Sequence, residues 1–170
     1  MNVRPESSAD VDAIRRVNDL AFGTTGEGRL VDALRTAATP FLSIVAEEDG
    51  AIVGHIAFSP VTVEREDGRR FTIAGLAPMS VTPSRQKAGI GSKLVKAGID
   101  ACRRAGFTAV VVLGHPEYYP RFGFAPASRH GLRSEYEVPD EAFMLMELVP
   151  GGADELRGLV RYHAAFALVE

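Results

Sequence analysis

The segment Gln86–Ser92, with the sequence Gln-Lys-Ala-Gly-Ile-Gly-Ser, combines residue types and spacing that indicate chemistry. Gly89 and Gly91 lack side chains, as is needed where a backbone turns and closely approaches another group. A helical pattern follows, so the free amides of residues 87–92 would point out from a helix N-terminus. Such an end carries about half a positive charge and binds anions. The segment therefore predicts a site for a phosphate or diphosphate group.

Two common phosphate-binding motifs do not fit this segment. A Walker loop requires Gly-x4-Gly-Lys-Ser/Thr, whereas Gly91 is followed by Ser92-Lys93 and has no second glycine at the required offset. A Rossmann fingerprint requires a third glycine three residues after Gly91, where this chain has Leu94. Both classes of nucleotide-binding loop are therefore disfavoured.

The elements before this loop follow clear patterns. Apolar residues at helical spacing predict a first helix that ends near Ala21 and a second that starts near Glu27 and stops before Pro40. A short strand precedes them, and hairpin turns at Asp49-Gly50 and Asp67-Gly68 indicate an antiparallel meander after them. The predicted strands cover residues 2–4, 41–47, 52–63 and 71–81.

The elements after the loop complete a parallel unit. A helix runs to about Gly106, and the apolar run 107–113 reads as a strand buried on both faces. Strand, helix and strand should form a right-handed βαβ unit. A short helix over 117–121, a strand over 142–149 and an amphipathic tail over 155–169, helical or extended, follow. Pro78 lies inside the fourth strand, where its missing N–H implies a bulge or an unpaired side.

Two motifs resemble one family. Gln86-Lys87-Ala88-Gly89-Ile90-Gly91 is similar to the Gln/Arg-x-x-Gly-x-Gly/Ala signature of the GCN5-related N-acetyltransferase (GNAT) superfamily. The segment Tyr119-Pro120-Arg121-Phe122-Gly123-Phe124 resembles its Tyr-x-x-x-Gly-Phe element, and together with Leu76-Ala77-Pro78 it most resembles the bacterial YhbS-like subgroup. The resemblance covers about residues 2–149 and leaves 150–170 as a C-terminal extension of a single domain over 1–170.

The resemblance implies an α/β (α+β) acyl-CoA N-acyltransferase fold. Its sheet is mixed and mostly antiparallel, with splayed central parallel strands flanked by helices. Acetyl-CoA would be the co-substrate, and its pantetheine arm would enter the gap between the fourth and fifth strands. The residues implied in coenzyme binding are Met79, Ser80, Val81, Gln86, Lys87, Ala88, Gly89, Ile90, Gly91, Ser92 and Tyr119. No metal is expected, since the histidines and the single cysteine show no ligand spacing.

The expected reaction is direct acetyl transfer to an amine in a ternary complex. At pH 7 an alkyl amine with a pKa of about 10.4 is neutral in roughly one molecule in 2,500, so the enzyme must remove a proton. Tyr119 is the candidate acid for the leaving thiolate, although it could instead pack or position the sulfur. The neighbouring Tyr118 could exchange roles with it or serve in packing. Glu27 and His55 are the candidate bases. Glu27 could also be a first-turn carboxylate, and His55 a satisfied structural residue.

Composition limits the partners. A net charge of -3 gives no excess of positive charge for binding nucleic acid, and no apolar run is long enough to span a bilayer. The start lacks a signal-like apolar stretch, so a cytoplasmic location is expected. The acceptor is predicted to be an amine-bearing small molecule, peptide or protein, and the apolar tail around 159–168 could form a homodimer. A non-catalytic acyl-CoA sensor or interaction module is the alternative; a nucleotide hydrolase is a weaker one.

Overall fold

The computed structural model describes residues 1–169. Three α-helices are present among them: α1 (Val11–Phe22), α2 (Gly26–Ala37) and α3 (Ile90–Arg104). The strands are β1 (Asn2–Pro5), β2 (Leu42–Glu48), β3 (Ala51–Glu64), β4 (Arg70–Val81), β5 (Ala109–Leu113), β6 (Ala125–Pro126), β7 (Leu132–Ser134), β8 (Phe143–Glu147) and β9 (Gly158–Arg161). Among the short 3₁₀ helices, Tyr119–Phe122 and Ala164–Val169 bear on the site.

The strands form a single mixed sheet. Its main order is β1-β2-β3-β4-β5-β8-β6, with β7 and β9 joined to the far end of β3. Only the pairs β4–β5 and β7–β9 are parallel among the described strands. The predicted fold class is confirmed, including the antiparallel meander of β2, β3 and β4 and the parallel strand that follows α3.

The central strands separate part of the way along. In the β3–β4 ladder, Ile56 pairs with Met79 but Phe58 pairs with Leu76, so β4 carries one extra residue in a bulge at Ala77-Pro78. The parallel ladder between β4 and β5 covers only residues 74–76 of β4. Beyond the bulge, residues 79–81 of β4 have no partner in β5. The bulge predicted at Pro78 is therefore present, and it opens a gap in the sheet.

Helices cover both faces of this sheet. Helix α3 packs on one face, where Leu94 and Ile99 join a core with Ile56 and Phe58 of β3. Gly98 allows this close packing, because a Cβ there would collide with the ring of Phe58. Helices α1 and α2 pack on the opposite face. No helix within residues 1–169 is long and apolar enough to cross a membrane.

The segment after residue 149 contributes to the same sheet. Strand β9 pairs with the end of β3 and with β7, and Val160 is fully buried between them. The 3₁₀ helix Ala164–Val169 then places Phe166 against Leu30 and Leu34 of α2. The tail, predicted to be helical or extended, therefore contains a strand followed by a 3₁₀ helix. The sequence patterns did not predict β6 or β7, which span only two and three residues.

Candidate active site

The loop before α3 presents a row of free amides. Within the described residues, no protein acceptor bonds the backbone N–H groups of residues 87–92, and the first amide with a partner is that of Lys93, which donates to the Gly89 carbonyl at 3.2 Å. Lys87 and Gly89 have positive φ values of 64° and 83°. When left-handed backbone conformations of this kind alternate with right-handed ones, successive amides point toward one side and form a concave anion site. The geometry suits a diphosphate group.

Side chains on the flank of the loop hold it in this shape. Gln86 donates from Nε2 to the carbonyl of Val81 at 3.0 Å, which ties the loop to the end of β4. Arg85 forms an ion pair with Glu48 of β2 at 2.6 Å, on the other side of β3. The glutamine of the motif therefore acts on the strand end, and the backbone of the loop is left to face the ligand.

A cleft of about 680 Å³ runs from this loop to the gap in the sheet. Its walls are the end of β4, the first turn of α3 and the segment that follows β5. It is lined by Met79, Ser80, Val81, Gln86, Lys87, Gly89, Ile90, Gly91, Ser92 and Tyr119, among others. Of the residues predicted to bind the coenzyme, only Ala88 is absent from this lining, and it is exposed on the outside of the loop.

A second cleft of about 550 Å³ reaches the gap from elsewhere on the molecule. It lies among α2, the segment after β7 and the C-terminal 3₁₀ helix, and Glu27 is on its wall. Both clefts share the same residues at their meeting point: Phe22, Met79, His115 and Tyr119. Two ligands, one in each cleft, would therefore meet beside β4 and Tyr119.

Tyr119 is placed where the two clefts join. Its side chain is buried among aromatic rings, with Phe124 and Tyr118 in edge contact at centroid distances of 5.6 and 5.1 Å. Gly114 makes room for the ring, because a Cβ there would overlap it. Burial raises the pKa of the Tyr119 hydroxyl well above its usual range, so the group stays protonated at neutral pH. It is available as a proton donor.

Tyr118 supports the start of α3. Its hydroxyl lies 3.4 Å from Ser92 Oγ, and a Cβ on Gly91 would come within 2.9 Å of the same hydroxyl. The guanidinium of Arg121 sits 4.5 Å from the centre of its ring. Tyr118 therefore lines the first cleft without reaching the second.

Glu27 occupies the first turn of α2 and faces the second cleft. Its Oε2 accepts a hydrogen bond from Thr24 Oγ1 at 3.0 Å, which fixes the carboxylate at the helix start. This position is compatible with a general base and with a first-turn carboxylate that only stabilises the helix. A carboxylate stabilised by the helix dipole can also accept a proton from an amine in the cleft.

His55 lies away from both clefts, which corrects its selection as a candidate base. Its side chain is fully buried. Asn18 Nδ2 donates to its Nδ1 at 3.1 Å, so Nε2 carries the proton and donates to Ser43 Oγ at 2.8 Å. Burial lowers the pKa of His55 to about 3. With both nitrogens occupied and no path to a ligand, the ring has a structural role.

Several residues of the second cleft were not predicted from the sequence. Tyr136, Tyr162 and Phe166 line it, yet they belong to segments that carry no recognisable motif. They come together only because β9 and the tail fold back on α2.

Cys102 is buried in the core, where burial raises the pKa of its thiol to about 12. No group of three metal-ligating side chains occurs within residues 1–169.

Three features define the class of acyl-CoA-dependent N-acyltransferases. They are a pair of parallel strands that separate, a loop with free amides, and a second cleft that reaches the gap between the strands. A sequence model of the Acetyltransferase (GNAT) domain matches residues 2–127. The chain is 35% identical over 167 residues to YhbS of Escherichia coli strain K12, an uncharacterized N-acetyltransferase, with 98% of each chain covered. The chain belongs to the GNAT acetyltransferase family.

Solved structures agree with this assignment. The crystal structure of Escherichia coli YhbS in complex with CoA matches with a TM-score of 0.89 and 34% identity, over 98% of this chain and 91% of that one. A GNAT family acetyltransferase from Brucella melitensis in complex with acetyl-CoA matches with a TM-score of 0.78 and 41% identity, over 97% of each chain. The similarity to YhbS therefore extends along nearly the whole chain.

Proposed function

We propose that this protein transfers an acetyl group from acetyl-CoA to a primary amine, by direct transfer in a ternary complex. The observation that carries the proposal is the meeting of two clefts at the gap between β4 and β5, with Tyr119 at the junction. One cleft leads to free amides suited to a diphosphate, and the other holds a carboxylate, Glu27. This arrangement brings a thioester and an amine to the same point.

The first cleft fits the coenzyme. The amides of residues 87–92 would bind the diphosphate, with Lys87 beside it. The free edge of β4 at residues 79–81 would pair with the amide groups of the pantetheine arm, as a strand would. Arg121 on the same wall would add positive charge for the phosphates.

The second cleft supplies the groups for proton transfer. Glu27 takes one proton from the ammonium and releases it to solvent, directly or through water. The neutral nitrogen forms a bond to the acetyl carbon, the carbon–sulfur bond breaks, and Tyr119 gives its proton to the sulfur. Of the two protons left on nitrogen, one passes to the Tyr119 phenolate and restores the acid, and the other stays on the amide product. A free N–H of β4 beside the gap would stabilise the negative charge on the carbonyl oxygen.

Steady-state kinetics of Tyr119→Phe test the proposal. Loss of the acid should lower kcat by roughly 100-fold, in the range usual for general acid catalysis, with little change in the KM for acetyl-CoA. Release of CoA is measured with a panel of amines. Tyr118→Phe is the comparison, and it should change the KM for acetyl-CoA more than kcat, because its hydroxyl borders the first cleft only.

Two further results bear on the same proposal. Glu27→Gln should lower kcat and shift the pH dependence of the rate. Glu117→Gln, which removes an exposed carboxylate that lines neither cleft, should change neither. Tight binding of acetyl-CoA with no turnover on any amine would contradict the transferase and favour a non-catalytic acyl-CoA sensor.

Dependence on acetyl-CoA supports a cytoplasmic location. Participation of β9 in the sheet supports a single domain over 1–170, with the extension after residue 149 folded onto it. A homodimer formed through the apolar tail stays a prediction, and sedimentation velocity of the full chain would test it.

A further inference from the structure

The walls of the second cleft carry information about the acceptor. Most of them are apolar or aromatic, and the aromatic rings form a continuous row. Tyr136 and Tyr162 lie 5.6 Å apart between ring centres, and Tyr162 and Phe166 lie 5.2 Å apart. Leu30 and Val138 extend the same apolar surface. Such a wall favours a ligand with an apolar body, since burying apolar area is the main source of affinity there.

The charge of the cleft limits how many cations it can hold. Within residues 1–169, Glu27 is the only carboxylate on its wall. The nearby carboxylate of Glu135 is already engaged, because it accepts from the backbone N–H of Tyr162 at 2.6 Å and lies 3.7 Å from Arg161. A ligand with several ammonium groups would leave most of them without a counter-charge. One carboxylate beside aromatic faces suits a single cation.

The mouth of the cleft repeats this apolar character. Phe22 is 44% exposed, Leu168 40% and Val169 37%, and Phe22 and Val169 line the cleft itself. The backbone of Leu168 and the side chain of Val169 pack against Gly26 at the start of α2, close to Glu27. Large apolar side chains left in water around a cavity mark a surface that receives an apolar partner.

We propose that the acceptor is a small monoamine with an arylalkyl body, whose ammonium group lies near Glu27 and whose ring packs on Tyr162, Phe166 and Phe22. This inference rests on the proposed function and names the substrate class of the same site. The volume of about 550 Å³ suits a ligand of that size. Polyamines, aminoglycosides and lysine side chains of proteins are the acceptors that it excludes.

A comparison of acceptors tests the inference. The full chain is assayed for CoA release at saturating acetyl-CoA with phenethylamine, ethanolamine, spermidine, kanamycin and a lysine-containing peptide. Phenethylamine should have the highest kcat/KM, roughly 100-fold above that of ethanolamine, since it buries an additional phenyl group. A higher kcat/KM for spermidine, kanamycin or the peptide would overturn the inference and leave the transferase function intact.

A matched pair of variants locates the effect. Phe22→Ser should reduce the ratio of kcat/KM for phenethylamine over ethanolamine about tenfold. Leu20→Ser should not change this ratio, because Leu20 is 61% exposed on the same helix and lines a different groove. An unchanged ratio in Phe22→Ser would contradict the placement of the ring.

Calorimetry separates failure of the inference from failure of the proposed function. Phenethylamine is titrated into the protein in the presence of CoA. Binding that is weakened in Phe22→Ser, with no turnover of any amine, would support the inference and overturn the transferase. Absence of both binding and turnover would overturn both.

Discussion

His55 is held between three elements, and both of its ring nitrogens are used there. Asn18 comes from α1, Ser43 from β2, and the ring itself from β3. By contrast, the hydroxyl of Tyr119 makes no hydrogen bond within residues 1–169, although its ring is packed on several sides. A polar group without a protein partner beside two clefts is placed to act on a ligand. A fully satisfied one serves the fold.

The free energy of unfolding should therefore depend on His55 in mildly acidic solution. Its pKa falls from 6.5 to about 3 on folding. Between these values the unfolded chain binds a proton that the folded chain does not, so stability decreases as the pH falls below 6.5. The contribution approaches about 1.4 kcal/mol per pH unit. Urea unfolding between pH 7 and 5.5 measures this slope, above the pH of about 5 at which carboxylates with lowered pKa values begin to contribute through the unfolded state.

His55→Gln is the comparison for that slope, because the glutamine does not titrate. Its unfolding free energy should change less with pH over the same range. NMR of the folded wild type gives an independent reading, since the ring signals of His55 should stay those of the neutral form down to pH 4.5. Titration of that ring near 6.5 in the folded protein would contradict the structural role.

Residue roles of this kind were only partly predictable from sequence. Tyr119 was found because the spacing to Gly123 is local and belongs to a motif. The role of His55 depends on Asn18, which is 37 residues away, and on Ser43, which is 12 residues away. No pattern within the strand itself could reveal those partners.

At the scale of elements, α3 is positioned by the absence of a side chain at Gly98. Gly98→Ala should improve intrinsic helix propensity by about 1 kcal/mol, yet it would drive a methyl group into the ring of Phe58. Overpacking of this kind costs roughly 1–3 kcal/mol, so we expect net destabilisation. Chemical denaturation measures it. A more stable variant would show that α3 does not approach β3 as closely as described.

The loop before α3 allows a second test at this scale. Gly89 and Gly106 both have positive φ, 83° and 91°, and both face open space. Alanine at either position should therefore destabilise the protein by a similar amount, about 1 kcal/mol. Only Gly89→Ala should also weaken CoA binding in calorimetry, because strain at this position would turn the neighbouring amides away from the proposed anion site. Equal CoA affinity of the two variants would contradict that assignment.

Long elements with a regular pattern were predictable, and short ones were not. The meander and α3 follow from alternation, helical spacing and turn residues that lie within each segment. Strands β6 and β7 are too short to show alternation, and β6 contains Pro126. Their pairing is decided by the strands on which they land.

At the scale of the whole molecule, the tail is part of the folded unit. Val160 of β9 is fully buried between β3 and β7, and both of these strands are distant from it in the sequence. Val160→Ala should lower the unfolding free energy by about 2 kcal/mol, and the melting temperature by about 4–8 °C. Calorimetry should show one transition. A separate early transition of the tail would contradict its integration.

The second cleft shows the limit of sequence reasoning at this scale. The first cleft was predictable, because the loop and the strand that form it are close in the chain. The second joins α1, α2, the segment after β7 and the C-terminal 3₁₀ helix. Only the complete fold brings these segments together, so the acceptor surface could not be predicted before the structure.

The gap between β4 and β5 also has a mechanical consequence. Among residues 1–169, three ladder pairs, Ala74–Val110, Gly75–Val111 and Leu76–Val112, join the β1–β4 part of the sheet to β5, β8 and β6. A coenzyme arm that pairs with β4 in the gap adds rungs to a ladder that the protein leaves short. In the proposed binding mode, the two parts of the sheet would be joined more firmly while the coenzyme is bound than after it leaves.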